Sequence, residues 1–453
     1  MPSRAAQNVP ESAAGAAFGA AFAAIDFGTS NSAVALPVAA PDSGGGVRLV
    51  AVEDGQPTLP TAVFYRSDVD GPGGAPVCHF GRAAIAAYVD GLDGRLMRSL
   101  KSVLGSALIE QATDIGAGRA VRFADVIAGF LRHLKQRAEA DAGMPIERVV
   151  LGRPVHFVDD DPARDAQAQA ALEAAARRVG FGEVLFQYEP IAAALAHERH
   201  SSHEHCVLVA DIGGGTSDFS VVRVGPQRRG RLDRRDDILA NHGVHVAGTD
   251  FDRHVELAAI LPLLGYRALR PARRGELPRE VPSGLYFDLA TWHLINGVYA
   301  PARVAELRGM QAWYADPAHH RRLMQVVRER LGHALAAAAE QAKIDVATQR
   351  RAVMTLDEVE RGLRAELDEP TAAAAIEADL ARIVEAAADT VRQAGLLPRQ
   401  IDALYFTGGS TGLAPLVQRI AASFPAARVV RGDRYASVAQ GLGVHARAVF
   451  GTR

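Results

Sequence analysis

The chain has 453 residues, 48% hydrophobic and 23% charged, enough for two or three domains with cores of their own. A net charge of −2 excludes a strongly basic nucleic-acid binder and gives no attraction to an anionic membrane. The two cysteines, Cys78 and Cys206, have neither disulfide-framework nor metal-site spacing and suit a reducing cytoplasm, and no apolar run is long enough to cross a bilayer.

In chain order, residues 1–21 are rich in Ala and Gly and read as a disordered tail. The stretch 13–24 imitates the apolar part of a secretion signal. Glu11 and the interspersed glycines weaken that reading, and cleavage there would damage the motif that follows. Residues 24–36 (AIDFGTSNSAVAL) form an apolar strand, an Asp, a Gly- and hydroxyl-rich turn and a second strand. Residues 209–222 (VADIGGGTSDFSVV) repeat this design, with 185 positions between Asp26 and Asp211. Each predicts a β-hairpin with a cup of backbone amides at its tip, and the pair predicts a duplicated fold with two facing lobes.

Between the hairpins, 162–179 predicts a helix capped from Asp159–Asp161, followed by a strand at 183–187 and a helix opening at Glu189-Pro190. The basic stretch 226–237 predicts a solvated hairpin tip. Residues 262–318 break the pattern with Pro, Arg and aromatics and read as an elaboration of the second lobe. Long helices are predicted over 321–346 and 371–394, then a strand at 403–407, a helix over 411–424 and a last helix over 437–450. Strands alternating with helices indicate an α/β fold. The division expected is lobe I over 22–206 and lobe II over 207–453, with the last helix returning to lobe I.

Glycines let backbone N–H groups converge on a phosphate, and the hydroxyls of Thr29, Ser30, Thr216 and Ser217 add donors. Asp26 and Asp211 stand just before the two turns. Carboxylates beside phosphate repel it unless a Mg²⁺ ion lies between them. One such hairpin is a weak signal; two copies, each with its Asp, point to a phosphate and Mg²⁺ cleft.

The same residues resemble the DnaK-type heat-shock chaperones. Residues 25–32 (IDFGTSNS) and 211–218 (DIGGGTSD) are similar to that family's two phosphate motifs, and 404–415 (LYFTGGSTGLAP) to its adenosine motif. Residues 188–196 (YEPIAAALA), 152–157 (GRPVHF) and 246–252 (VAGTDFD) match its connecting segments in order, so the resemblance covers about 22–450. It implies an actin-like ATPase fold with two lobes around a nucleotide cleft that takes ATP or ADP, Mg²⁺ and a monovalent ion such as K⁺. It implies that Lys101 (98–105, RSLKSVLG) is catalytic, with Asp211 positioning water and Glu189 and Thr216 assisting. Asp26, Asp211 and Asp218 would serve the metal ions. Gly28, Thr29, Ser30, Asn31, Gly213, Gly214, Gly215, Thr216 and Gly248 would line the phosphates. Glu340 and Lys343, one helical turn apart, would grip the nucleoside with Gly408, Gly409 and Ser410. Pro154 and Arg164 would relay nucleotide state between the lobes.

The chain departs from the pattern at Gly412, Ala347 and Tyr435, where the family carries Arg, Ser and Asp. A stacking cation and polar partners around the base are thereby lost, while the phosphate residues are kept. The chain ends at Arg453 without a Leu-rich linker or β-sandwich, as in short YegD-like members. The expected function is a slow, chaperone-like ATP-hydrolysing switch acting on a protein partner or client. A non-catalytic nucleotide scaffold, a small-molecule kinase and a filament-forming relative stand as alternatives. The histidines 197, 200, 203 and 205 read as a helix-to-strand link in preference to a metal site.

Overall fold

A computed structural model describes residues 21–38, 46–71, 74–158, 161–199, 201–229, 231–271, 279–433 and 436–451. The tail (apart from Ala21), Asp159, Asp160, His200, Tyr435 and Arg453 of the sequence reading lie outside these residues.

Two sheets share one topology. In the first, the strand order is Glu183–Tyr188, Ile146–Arg153, Ala21–Phe27, Asn31–Pro37 and Val47–Leu49; Thr58–Pro60 also pairs with Asn31–Pro37. In the second it is Arg428–Arg431, Ala403–Thr407, His205–Ile212, Ser217–Val224 and Ile238–Val244. In both, the central strand pairs antiparallel with the strand that follows it and parallel with a later one. The hairpin registers also match, with Phe27 opposite Ser32 and Ile212 opposite Ser217.

The central strands are buried on both faces, which explains their nearly unbroken apolar sequence. Ala23, Ile25 and Phe27 face a core shared with the helices Phe123–Ala142 and Pro162–Arg178. Leu208, Ala210 and Ile212 face an equivalent core with Glu377–Gln393 and Ala414–Ser423. The opposite faces meet in one inner core. Phe22, Ala24 and Val150 of the first sheet join Val207, Val209 and Tyr405 of the second, with Ile191 and Ala194 of helix Glu189–Glu198 and Leu442 and Ala446 of helix Ser437–Phe450 between them. These two helices cross closely because position 441 is glycine; a Cβ there would overlap the Ala192 carbonyl.

Several elements differ from the sequence reading. The stretch 321–346 is two helices, Pro317–Arg328 and Gly332–Gln349, broken where Arg330 takes φ +54°. The stretch 371–394 divides into Glu369–Ala375 and Glu377–Gln393. A 3₁₀ turn, Gly409–Gly412, precedes helix Ala414–Ser423. The helix opening at Pro162 is capped by Asp161, which accepts from Arg164 N at 3.1 Å.

The elaboration contains the helices Gly284–Leu289, Ile295–Val298 and Pro301–Gly309. Leu285, Tyr286 and Leu289 share a core with Leu323, Val326, Leu335 and Ala339. Helices this short show too few turns for periodicity to reveal them.

The basic stretch is a solvated tip only in part: Arg229, Arg231 and Arg235 are exposed, whereas Arg234 and Asp237 are buried. Arg234 is 2% exposed and holds Glu198 and Asp237, each 1% exposed. Arg228 pairs with Asp237 and Glu204, and Arg229 donates to the Glu198 and Ser201 carbonyls. Arg229 and Arg234 therefore tie the second sheet to the C-terminal end of helix Glu189–Glu198.

Candidate functional site: a phosphate and nucleoside cleft

The first hairpin tip is built around Gly28, where a Cβ would overlap the Asn31 carbonyl. Thr61 fixes this tip from a distant segment: its Oγ1 donates to Gly28 O at 2.8 Å, and its N–H donates to Ser30 O at 2.9 Å. In the second tip Gly213 N donates to Thr216 O at 3.0 Å, and Thr216 Oγ1 donates to Asp218 Oδ2 at 2.9 Å. The tips face each other, since a Cβ on Gly214 would lie 2.8 Å from Ser30 Oγ. Thr29, Ser30, Asn31 and Thr216 are half-buried and Gly215 is exposed, as a surface that receives an anion requires.

Lys101 acts electrostatically on both aspartates. It lies on the 3₁₀ turn Leu100–Val103, directly after Ser99 at φ +54°, an uncommon conformation for a residue with a Cβ. Lys101 Nζ pairs with Glu189 Oε1 at 2.5 Å, with the side chains 9% and 14% exposed. Glu189 is the first residue of its helix, where a carboxylate also meets the positive end of the helix dipole.

Asp26, Glu189 and Asp211 thus act together on one lysine, with Asp218 acting in turn on Asp211. Burial, reinforced by Glu189 and Asp211 and opposed by Lys101, pushes the Asp26 carboxyl up to about 8. Burial, then Asp218 and Glu189, raise Asp211 to about 7 against Lys101. Burial alone would lower the Lys101 ammonium, but Glu189, Asp26 and Asp211 outweigh it and raise it. The pocket is short of positive charge.

The segments expected to hold the nucleoside adjoin the second tip. Gly248 N donates to Gly213 O at 3.3 Å, and Ser410 Oγ donates to the same oxygen at 2.6 Å. Gly408 has φ +87°, and a Cβ there would overlap the Ile212 carbonyl. Gly409 and Ser410 continue into the 3₁₀ turn. Gly408→Ala is expected to destabilise the protein by about 2 kcal/mol or more, through left-handed strain plus overlap, and to weaken nucleotide binding; parallel thermal melts and binding titrations measure both.

Glu340 and Lys343 do not form an ion pair with each other. Lys343 Nζ pairs with Asp252 Oδ1 at 2.6 Å and reaches Gly248 O at 3.4 Å, while Glu340 is exposed and lies near Arg98. Burial lifts the Asp252 carboxyl to about 6, although Lys343 opposes the shift.

Aromatic rings link the segment carrying Lys101 to the helix carrying Glu340. Tyr88 stacks on Trp292 at 5.1 Å, Trp292 meets His333 at 4.7 Å, and the Arg98 guanidinium lies 4.6 Å over Trp292.

Of the two residues expected to relay nucleotide state, Arg164 donates to Gly105 O at 2.6 and 3.1 Å, beside the Lys101 turn, and Pro154 O accepts from Arg153 Nε at 3.0 Å. The residue at the Tyr188–Glu189 junction is Arg153, which the sequence reading missed. It pairs with Asp165 at 2.8 Å and lies 5.1 Å over the Tyr188 ring, whose hydroxyl accepts from Arg235 Nε at 3.0 Å. Thr61 and Asp252 were also missed as supports, because their partners are remote in sequence. His197, His203 and His205 line a separate cavity of about 340 Å³ with Asp402 and Arg428. Among the described residues no group of three or more His, Cys, Asp or Glu is arranged to hold a metal.

A family model described as Hsp70 protein matches residues 102–259. A "Chaperone protein HscA homolog" of Pseudomonas fluorescens (strain SBW25) is 27% identical over 95% of this chain and 58% of its own length. Another, of Pseudomonas paraeruginosa (strain DSM 24068 / PA7), is 32% identical over 56% of this chain and 39% of its own. These findings support the Hsp70/DnaK-type superfamily. The fold is the actin-like ATPase fold, as the duplicated sheets require. The matched regions cover between 39% and 58% of these two relatives' lengths. Among the described residues no helix is long and apolar enough to cross a membrane.

Proposed function

We propose that the cleft binds MgATP and hydrolyses it slowly, and that lobes 22–206 and 207–453 change their closure with nucleotide state to signal to a protein partner or client. The likeness to short YegD-like members and a cytoplasmic location belong to the same proposal. The observation that carries it is the Lys101–Glu189 ion pair acting electrostatically on Asp26 and Asp211, beside two glycine-tipped hairpins that face each other.

Two half-buried carboxyls raised to about 8 and 7 suit a divalent cation that keeps several of its waters. Asp26 and Asp211 would hold Mg²⁺, which supplies neutralising charge beside the phosphates, with Asp218 and Thr216 serving K⁺. The amides of 28–31 and 213–216 cradle the phosphates. Lys101 keeps its proton and stabilises charge developing on the terminal phosphate, and Asp211 orients the attacking water.

Calorimetry with MgATP, paired with a phosphate-release assay, tests this reading. Binding near pH 7 is expected to release protons, because the cation displaces them from carboxyls that are partly protonated in its absence. Heats that vary with the buffer's ionisation enthalpy report that release. Absence of ATP binding at millimolar nucleotide and Mg²⁺ would sink the proposal.

The Lys101–Glu189 ion pair favours a second reading, a non-catalytic scaffold, since an engaged lysine must be freed before it can act. Tight binding with no phosphate released over hours would select it. Transfer of phosphate to a polyol or sugar would select a kinase instead.

A further inference from the structure

Three histidines gather at the far end of the strands that carry the second glycine tip. His205, Ala403 and Arg428 are the first residues of the parallel strands His205–Ile212, Ala403–Thr407 and Arg428–Arg431, whereas Gly213 and Gly408 follow the last residues of the first two. The strand from His205 to Asp211, at ~3.3 Å per residue, puts roughly 20 Å between the two ends. Here His197, in the last turn of helix Glu189–Glu198, joins His203, His205, Asp402 and Arg428 around a cavity of about 340 Å³. The His203 and His205 rings are 4.0 Å apart, and the His197 and His205 rings 5.7 Å. Ser202 Oγ lies 3.1 Å from His203 Nδ1 and fixes that ring. Arg428 Nη2 lies 3.4 Å from His197 Nδ1; a guanidinium only donates, so this nitrogen accepts and His197 carries its proton on Nε2.

The charge balance of the cavity favours an anion. Arg428 is exposed and makes no ion pair among the described residues. Asp402 is the one carboxylate among the described residues of the lining, and its Oδ2 accepts from Cys206 N at 2.8 Å. The carboxylates next along the chain are held elsewhere, Glu198 by Arg234 and Glu204 by Arg228. Burial first, then His203 and Arg428, lower the His205 imidazole against the pull of Asp402. With neutral imidazoles Arg428 and Asp402 cancel, and each imidazole that takes a proton adds a positive charge. A bound anion favours those charged forms, so anion and protons bind together. The volume is at the lower end of sites for small organic ligands, roughly 300–1,000 Å³, and larger than a bare oxyanion fills.

We infer that this cavity is a second ligand site, which takes a small phosphate monoester, with Arg428 and the histidines holding its phosphoryl group. The site lies away from the nucleotide cleft and does not rest on that reading.

Equilibrium dialysis of the full chain against labelled sulfate and labelled glycerol 3-phosphate tests it, at about pH 6 and about pH 8. Saturating MgADP keeps anions from the glycine tips. Sulfate stays a dianion throughout this range, so its pH dependence reports the protein alone. One glycerol 3-phosphate is expected to bind per chain at about millimolar concentration or below, more tightly than sulfate, and both to weaken about tenfold or more at the higher pH. Arg428→Gln and His203→Gln, both at exposed positions, are each expected to weaken both anions about tenfold and to leave MgATP affinity unchanged. No saturable binding at the lower pH, or affinity indifferent to pH, overturns the inference. So does undiminished binding by Arg428→Gln, which would place the anion elsewhere whether or not MgADP binds. Sulfate held as tightly as glycerol 3-phosphate would mark an adventitious ion only and overturn the monoester.

Discussion

Replacing Lys101 by alanine is expected to cut single-turnover ATP hydrolysis about 10²- to 10³-fold while MgATP binding stays within about tenfold. Lys101 stands among Asp26, Glu189 and Asp211, and their charge keeps it protonated. A fixed ammonium counts most where negative charge develops during the reaction. The hairpin amides, which are untouched by the substitution, still hold the phosphates. Lys101→Arg is not expected to restore the rate, because a planar guanidinium cannot replace a compact ammonium on a turn set by Ser99. Quench-flow with labelled ATP, alongside calorimetric affinity, separates the two effects. Unchanged turnover would remove Lys101 from the mechanism.

Arg234→Ala is expected to cost about 3–5 kcal/mol of stability, the usual consequence of breaking a buried ion pair from one side. Glu198 would keep the Gly225 amide at 3.0 Å but lose both of its Arg234 guanidinium contacts, at 2.8 and 3.0 Å. Asp237 would keep Arg228 and lose Arg234. The thermal midpoint should fall by several degrees, with the loss concentrated in the tie between helix Glu189–Glu198 and the second sheet. Replacing Arg234, Glu198 and Asp237 together with Met, Leu and Leu is expected to recover much of the loss, since no charge of the triad then stays buried alone. Equal melting of wild type and Arg234→Ala would show that the network contributes nothing net.

The position of Lys101 was legible only through family resemblance, because one lysine after a leucine has no local signature. Thr61 could not be read at all: it supports Gly28 from 33 residues away through one hydroxyl. Arg153 was hidden inside a motif quoted for its proline. The arginines of 226–237 read as solvated because charge usually stays in water, which holds for Arg229, Arg231 and Arg235, but Glu198, 36 positions before Arg234, makes burial of Arg234 tolerable.

By itself the sequence determined the duplication. Two apolar strands, each ending in Asp and a glycine turn, dictate two hairpins because glycine tips and strand periodicity are local properties. The strands at 183–187 and 403–407 and the helices opening at 162, 189 and 437 followed from the same local patterns. Only the tertiary structure decided that Glu189 engages Lys101 and that Lys343 belongs to Asp252. Those facts depend on which distant side chains meet once the two sheets close on their shared inner core, and no local pattern encodes such meetings.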